Sequence, residues 1–164
     1  MKTIFFALLM IMTFAGQSQQ GYYERLNRLF DGTVPYITAE QLSNRINGGE
    51  AIYLLDTRAR EEYKVSHIEN ALRVGFEDFD VKKVKGIPKE SPVVVYCSIG
   101  VRSESVGEQL IDNGFERVYN LYGGLFEWYY RSFVIVDKNG DSTTKIHTYD
   151  KNWASWLRRG TAVY

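Results

Sequence analysis

The apolar positions of this chain change their period several times between residues 21 and 157, and each change marks an element. Tyr22, Leu26, Leu29 and Phe30 recur at near-helical spacing and predict a short leading helix over residues 21–31. Thr38 is placed to N-cap a helix over residues 39–46, with Leu42 and Ile46 on one face and Gly48-Gly49 as its stop. The apolar run at residues 51–55 predicts a buried strand ending at Asp56, and residues 60–65 predict a short helix before His67. Residues 93–96 read as the central strand. Residues 103–113, apolar at Val106, Leu110 and Ile111, predict a helix ended by Gly114. A short strand at residues 118–121 and an aromatic helix at residues 125–130 follow, the latter behind Gly123-Gly124.

Strands and helices therefore alternate from about residue 36 to residue 131, which predicts an α/β fold of parallel strands joined by crossover helices. Ligands of open sheets of this kind gather at the carboxyl ends of strands, where Asp56 and Cys97 both fall. The tail has another character. Residues 133–136, an Asn-Gly turn at residues 137–140 and residues 145–149 predict a β-hairpin. Trp153, Trp156 and Leu157 then mark one face of a short helix. The expected organisation is a signal peptide at residues 1–18, a helical lead-in at 19–35, the α/β domain at 36–131 and a hairpin and helix extension at 132–164.

Composition adds constraints. The 164 residues suffice for one domain with a buried core and a small appendage. Twenty basic residues balance twenty acidic ones without a dense Lys/Arg run, which gives no reason to expect a nucleic-acid partner. The 12 Tyr and 3 Trp read first as packing. Lys2, the apolar residues 4–15 and the small residues Ala15, Gly16 and Ser18 follow the order of a secretory signal. That stretch is too short for an ordinary spanning helix. Cleavage after Ala15 or Ser18, an exported and periplasmic destination, and no stable membrane insertion after signal removal are the expectations; an uncleaved anchor is the alternative.

Export changes the meaning of Cys97, the single cysteine of the chain. Exported domains use cysteines in pairs as staples, and this one has no partner in the chain. A free thiol in an oxidising compartment is better explained by reactivity than by packing. Cys97 ends the apolar run Pro92-Val93-Val94-Val95-Tyr96 and opens the loop Cys97-Ser98-Ile99-Gly100-Val101-Arg102-Ser103 ahead of a helix. A strand–loop–helix layout aims backbone N–H groups at the sulfur, which favours the thiolate. Gly100 permits the close turn, successive amides can form an anion-binding nest, and Arg102 sets a positive fork at the rim for an oxyanion. Ser103 is placed to cap the helix and to add a hydroxyl near the sulfur.

These residues resemble the single-domain rhodaneses, a sulfurtransferase family. The matching pieces are Asp56-Thr57-Arg58 with Glu62-Tyr63, His67-Ile68-Glu69-Asn70-Ala71, residues 94–103, and Val118-Tyr119-Asn120-Leu121-Tyr122-Gly123-Gly124 with Trp128. They cover roughly residues 36–131 in the family's order; Asn70 stands where the family most often has glycine. The resemblance implies a five-stranded parallel sheet flanked by helices. It also implies that Cys97 takes a sulfane sulfur from a small donor such as thiosulfate and passes it to a thiophilic acceptor, a small molecule or a protein. Two displacements through a covalent intermediate predict ping-pong kinetics. The amides of Ser98 to Ser103 would hold the persulfide, and Arg102 would receive the donor's sulfonate. No cofactor is implied, and two separated His with one Cys do not make a zinc site.

His67 has two readings, a general base near neutrality or a hydrogen-bonded anchor of the turn after a helix; the resemblance supports the anchor. Asp56 is expected to support the active loop by accepting backbone amides, with proton transfer as the alternative. Arg58 and Glu62, four apart, are expected to pair as ions. Residues 137–141 lack the pattern of a calcium loop. Two other functions compete with sulfur transfer. A phosphatase or arsenate reductase of related fold would place five residues between cysteine and arginine, and here only Ser98, Ile99, Gly100 and Val101 intervene. A persulfide carrier or binding module in a sulfur relay would need the same loop.

Overall fold

A computed structural model of the protein describes residues 20–164, so the expected signal segment lies outside the described residues. Residues 20–27 are helical (α1), as their apolar spacing predicts. They belong to a unit that ends at Asp31, and a second compact unit, Gly32–Tyr164, holds all that follows.

Its elements are β1 (Tyr36–Ile37), α2 (Ala39–Asn47), β2 (Tyr53–Asp56), α3 (Arg60–Val65), β3 (Leu72–Arg73), β4 (Pro92–Tyr96), α4 (Val101–Asp112), β5 (Arg117–Leu121) and α5 (Gly124–Tyr130), with a 3-10 turn at Val81–Val84. The five strands form one parallel sheet in the order β1-β5-β4-β2-β3. This is the expected α/β architecture. From β2 the chain moves outward to β3, and from β4 it moves the other way to β5. The reversal opens a crevice at the carboxyl ends of β2 and β4, where Asp56 and Cys97 stand.

Local chemistry explains the elements. Thr38 Oγ1 accepts the Gln41 amide at 3.2 Å while Gln41 Oε1 accepts the Thr38 N–H at 2.9 Å, a reciprocal capping box. All five residues of β4 are buried, as befits a central strand covered on both faces. Val93 and Val95 pack with Leu55, Val106, Leu110, Phe115 and Val118 in the core beneath α4. Gly107 lets α4 lie close, since a Cβ there would meet Val34 at 2.9 Å. Asn70 has φ of 63°, so the position asks for a left-handed backbone, which asparagine adopts more readily than any bulkier residue.

The two edge strands, β1 and β3, were not legible from periodicity, because two residues are too few to show alternation. The tail also differs in detail. Its hairpin closes round residues 137–140, with Val136 bridging Ser142 antiparallel and the Thr143 N–H donating to Ile135 O at 3.1 Å. The return arm then departs: β6 (Lys145–His147) pairs in parallel with β7 (Thr161–Val163) rather than with residues 133–136. The expected short helix is a 3-10 turn, Trp153–Trp156. Val136 also bridges His67, and this ties the tail to the end of α3.

Thr38→Ala removes one half of the capping box and is expected to lower unfolding stability by about 1 kcal/mol, read by urea denaturation.

Candidate active site

Cys97 lies one residue past β4 and is buried. The chain turns there because its carbonyls are claimed from outside the loop. Leu125 N donates to Cys97 O at 2.9 Å and Phe126 N to Ser98 O at 3.0 Å, so the start of α5 holds the outer side of the turn. Gly124 makes that approach possible: with φ of 57°, any Cβ would stand 2.4 Å from Cys97 O and 2.7 Å from Ser98 O. Gly100, at φ of 106°, sends its carbonyl outward to Asn120 Nδ2 at 2.8 Å and turns its N–H inward to Cys97 Sγ at 3.1 Å. The sulfur therefore faces an amide at the N-terminus of α4, a setting suited to negative charge.

Ser103 departs from expectation. Helix α4 begins at Val101 with Gly100 as its cap residue, so Ser103 lies inside the first turn and caps nothing. Its hydroxyl is 3.0 Å from Gly100 O and 2.8 Å from Asn120 Oδ1. Asn120 Nδ2 already serves Gly100 O, so the one hydroxyl proton of Ser103 completes a buried relay by donating to Asn120 Oδ1. Asn120, named in the sequence only as part of a motif, thus fixes the turn that aims Gly100 at the sulfur.

The expected Arg58–Glu62 ion pair is absent. Arg58 precedes α3, so the four-residue spacing does not put the two on one helical face. Arg58 instead pairs with Asp56, both fully buried, through Nη2–Oδ2 at 2.6 Å and Nε–Oδ1 at 3.0 Å, and its Nη2 also donates to Ser66 O. Asp56 therefore does not accept amides of the active loop; its backbone partner is Arg58 N at 2.9 Å. The pair sits under Tyr96, whose hydroxyl accepts Ile68 N at 3.1 Å. Burial, with the charge of Asp56 beside it, pushes the Tyr96 phenol well above its ordinary pKa.

Glu62 turns to the loop. Its carboxylate takes a two-point grip on Arg102, with Nη1–Oε2 at 2.9 Å and Nη2–Oε1 at 2.8 Å, and accepts Ser98 Oγ at 3.2 Å and Ala59 N at 3.0 Å. Arg102 Nη2 also donates to Ser98 Oγ at 3.1 Å. Burial alone would push the Glu62 carboxyl up, but the bonds and charge of Arg102, with the charge of Arg58, hold it below the ordinary value. Burial likewise opposes the Arg102 cation, and Glu62 together with the sulfur of Cys97 outweighs it, so its pKa is raised. Arg102 is thus at the rim as expected, but with its charge already matched by a carboxylate.

His67 is an anchor. Its Nδ1 lies 3.0 Å from Tyr63 O, its ring stacks on Tyr63 at 3.9 Å, and its backbone exchanges two hydrogen bonds of 2.9 Å with Val136. It does not line the cavity over Cys97.

That cavity measures about 570 Å³. Cys97, Ser98, Ile99, Val101 and Arg102 form its floor, and Arg60, Arg73 and Phe76 line one side. Thr148, Tyr149 and Trp153 close it from the tail, and no periodicity could have announced that. Among the described residues no cluster of three His, Cys, Asp or Glu is arranged to hold a metal, and no helix is long and apolar enough to cross a membrane.

Known proteins resemble this chain in sequence and in fold. The family model for the rhodanese-like domain matches residues 38–131, and the chain belongs to that family. It is 32% identical over 101 residues to a tRNA uridine(34) hydroxylase of Photorhabdus laumondii, covering 58% of this chain and 28% of that protein. A Yersinia pestis protein of the same name is 32% identical over 98 residues, covering 57% and 27%. The chain thus spans little more than a quarter of the length of these relatives. Among solved structures, the rhodanese-like domain of an Anabaena protein is 28% identical with a TM-score of 0.58, covering 63% of this chain and 79% of that one. A thiosulfate sulfurtransferase of Pseudomonas aeruginosa shares the fold with a TM-score of 0.58 at 19% identity, covering 76% and 23%.

Glu62→Gln is expected to cost about 2 kcal/mol at neutral pH, the scale of a hydrogen bond to a charged group. Because the folded value of Glu62 is lowered, its contribution is complete above the ordinary value of 4.5 and is lost as pH falls through the folded one. Denaturation curves collected through that acid range should therefore fall less steeply for the variant than for the parent.

Proposed function

We propose that the protein is a sulfurtransferase that moves a sulfane sulfur through a persulfide on Cys97. The observation that carries this reading is the Gly100 N–H seated on Cys97 Sγ at the floor of a cavity, in a loop with only four residues between Cys97 and Arg102. The Cys97 thiolate attacks the outer sulfur of a donor such as thiosulfate; a new S–S bond forms, the donor's own bond breaks, and sulfite leaves with the electron pair. The N-terminus of α4 then faces the terminal sulfur anion of the persulfide. An acceptor nucleophile takes that sulfur and returns the electron pair to Cys97.

The grip of Glu62 on Arg102 favours this reading over phosphate or arsenate chemistry. An arginine that wraps a tetrahedral oxyanion must offer its two-point fork to the substrate, and here the fork is engaged. The hydroxylase name belongs to longer relatives, of which this chain spans little more than a quarter. On the order of charges and apolar residues in residues 1–18, we also propose that the chain is exported.

Intact-mass spectrometry after brief thiosulfate treatment tests both proposals. The expected result is a gain of one sulfur atom, removed by cyanide and absent in Cys97→Ser. Absence of any gain, or a gain that persists in Cys97→Ser, would sink the sulfur-transfer reading. The parent mass of the chain recovered from the exporting cell is expected to lack about the first 15 to 18 residues, whose boundary Ala15 or Ser18 sets.

A further inference from the structure

The chain has two histidines, and their rings take opposite parts in their hydrogen bonds. His67 Nδ1 faces the Tyr63 carbonyl at 3.0 Å. A carbonyl only accepts, so that nitrogen holds the proton and keeps the bond when the ring becomes cationic. His147 Nδ1 faces the Tyr149 N–H at 3.0 Å. An amide N–H only donates, so this nitrogen must be bare. A cationic His147 sets one proton against another. The bond of His67 is indifferent to acid; that of His147 requires a neutral ring.

The bond of His147 restrains a strained turn. Asp150 N donates to Thr148 O at 2.8 Å, closing a three-residue turn with Tyr149 at its centre and a φ of 69°. Positive φ marks the rare, strained form of the γ-turn, and tyrosine lacks the freedom of glycine to adopt it. The near side of the turn is fixed, since Thr148 is buried and its N–H donates to Val163 O at 3.1 Å. The far side is not. Tyr149 is 62% exposed, with its ring 5.8 Å from the Arg102 guanidinium carbon. Asp150 Oδ1 accepts the N–H groups of Asn152 and Trp153, so the turn that carries Trp153 hangs from the same joint. Tyr149 and Trp153, with Thr148, are what closes the cavity over Cys97 from the tail.

The ionisable groups around His147 are otherwise engaged or exposed. Strand β7 and helix α3 pack against β6. β7 carries no ionisable side chain. On α3, Arg60, Glu61 and Lys64 are exposed, Glu62 grips Arg102, and the Tyr63 hydroxyl donates to Ala71 O. Lys145 and Asp150 flank His147 on its own segment, and none of these groups forms an ion pair with it among the described residues. Glu77 and Asp78 line the cavity with Arg60 and Arg73. Ordinary carboxylates finish titrating below the range in which histidine changes charge.

We propose that His147 and Tyr149 form an acid-released latch on the cavity over Cys97. A proton taken from solvent by His147 Nδ1 breaks its bond to Tyr149 N, the strained turn relaxes, and Tyr149 and Trp153 swing off the cavity. The closed form binds no proton at that nitrogen and the open form does, so falling pH shifts the population toward the open form. The hydrogen bonds that change lie in the tail, beyond the stretch that matches the family. The latch governs access to the thiol, and its meaning for sulfur transfer rests on the persulfide reading above.

The test alkylates Cys97, the single cysteine, in the full chain with two reagents of one reacting group, iodoacetamide and an iodoacetamide bearing a pyrene. Their rate ratio cancels the thiolate fraction and reports access. From about pH 7.5 to about pH 5.5 the ratio of large to small reagent is expected to rise about tenfold. His147→Ala, which has no acceptor, should be open throughout, with a high ratio that ignores pH. His147→Asn, whose Oδ1 accepts the Tyr149 N–H without titrating, should stay closed, with a low and flat ratio. A flat ratio in the parent, or a rise that survives in both variants, would overturn the proposal. Nitrogen NMR of the parent gives a second reading. His147 Nδ1 should be unprotonated at neutral pH, and the Tyr149 amide should titrate with it; a proton already on Nδ1 at neutral pH overturns the latch. Neither readout involves sulfur loading. Failure to load Cys97 from thiosulfate with the ratio shift intact overturns the persulfide reading alone; loading with a flat ratio overturns the latch alone.

Discussion

The site depends on a backbone that must face two ways at once. For an amide of the loop after β4 to reach the sulfur, the carbonyls of Cys97, Ser98 and Gly100 must turn outward, and buried carbonyls left unpaired would be costly. Leu125, Phe126 and Asn120 supply the missing donors. The start of α5 and the end of β5 are therefore part of the active loop, although some twenty residues of chain separate them from it. The hydrogen bond at Cys97 Sγ is the inner face of a turn whose outer face is fastened elsewhere.

Two carboxylates with similar surroundings divide the remaining work. Asp56 neutralises Arg58 within the core, and that pair, with Ser66 O and the Tyr96 ring beside it, joins the ends of β2 and β4 to the turn that follows α3. Glu62 neutralises Arg102 at the rim and adds Ser98 to the same cluster. Removing one member of a buried pair costs far more than the pair itself contributes, so each carboxylate is tied to its own arginine. The outcome is an active loop whose one arginine already has its charge matched by a carboxylate.

Much of this was legible in the sequence, for reasons that can be named. Thr38, Gly114 and the apolar stripe of α4 are local signals, and the helices they mark are present, although α4 opens two residues earlier than expected. The apolar residues 93–96 read as the central strand, and β4 is buried along its whole length. Local spacing misled where geometry depended on where a helix begins: Arg58 and Glu62 looked like neighbours on one face, and a helix start at Arg60 parts them. Ser103 was read as a cap for the same reason, before Val101 was seen to open α4. The pairing of β6 with β7, and the arrival of Tyr149 and Trp153 over the sulfur, join segments with no common period, so nothing in the pattern announced them. Asn120 was quoted for its place in a motif, while its role in turning Gly100 needed the fold.

The contact at Gly124 has a consequence for how such a domain can change its chemistry. Because that glycine lies against the carbonyls of Cys97 and Ser98, the length of the loop is gauged from outside by a second segment of chain. One more residue between Cys97 and Arg102, the step toward a cradle wide enough for a tetrahedral oxyanion, would push those carbonyls into α5. The size of the reacting atom is in this sense recorded twice, and a lineage moving from sulfur to phosphorus would have to rewrite both records together.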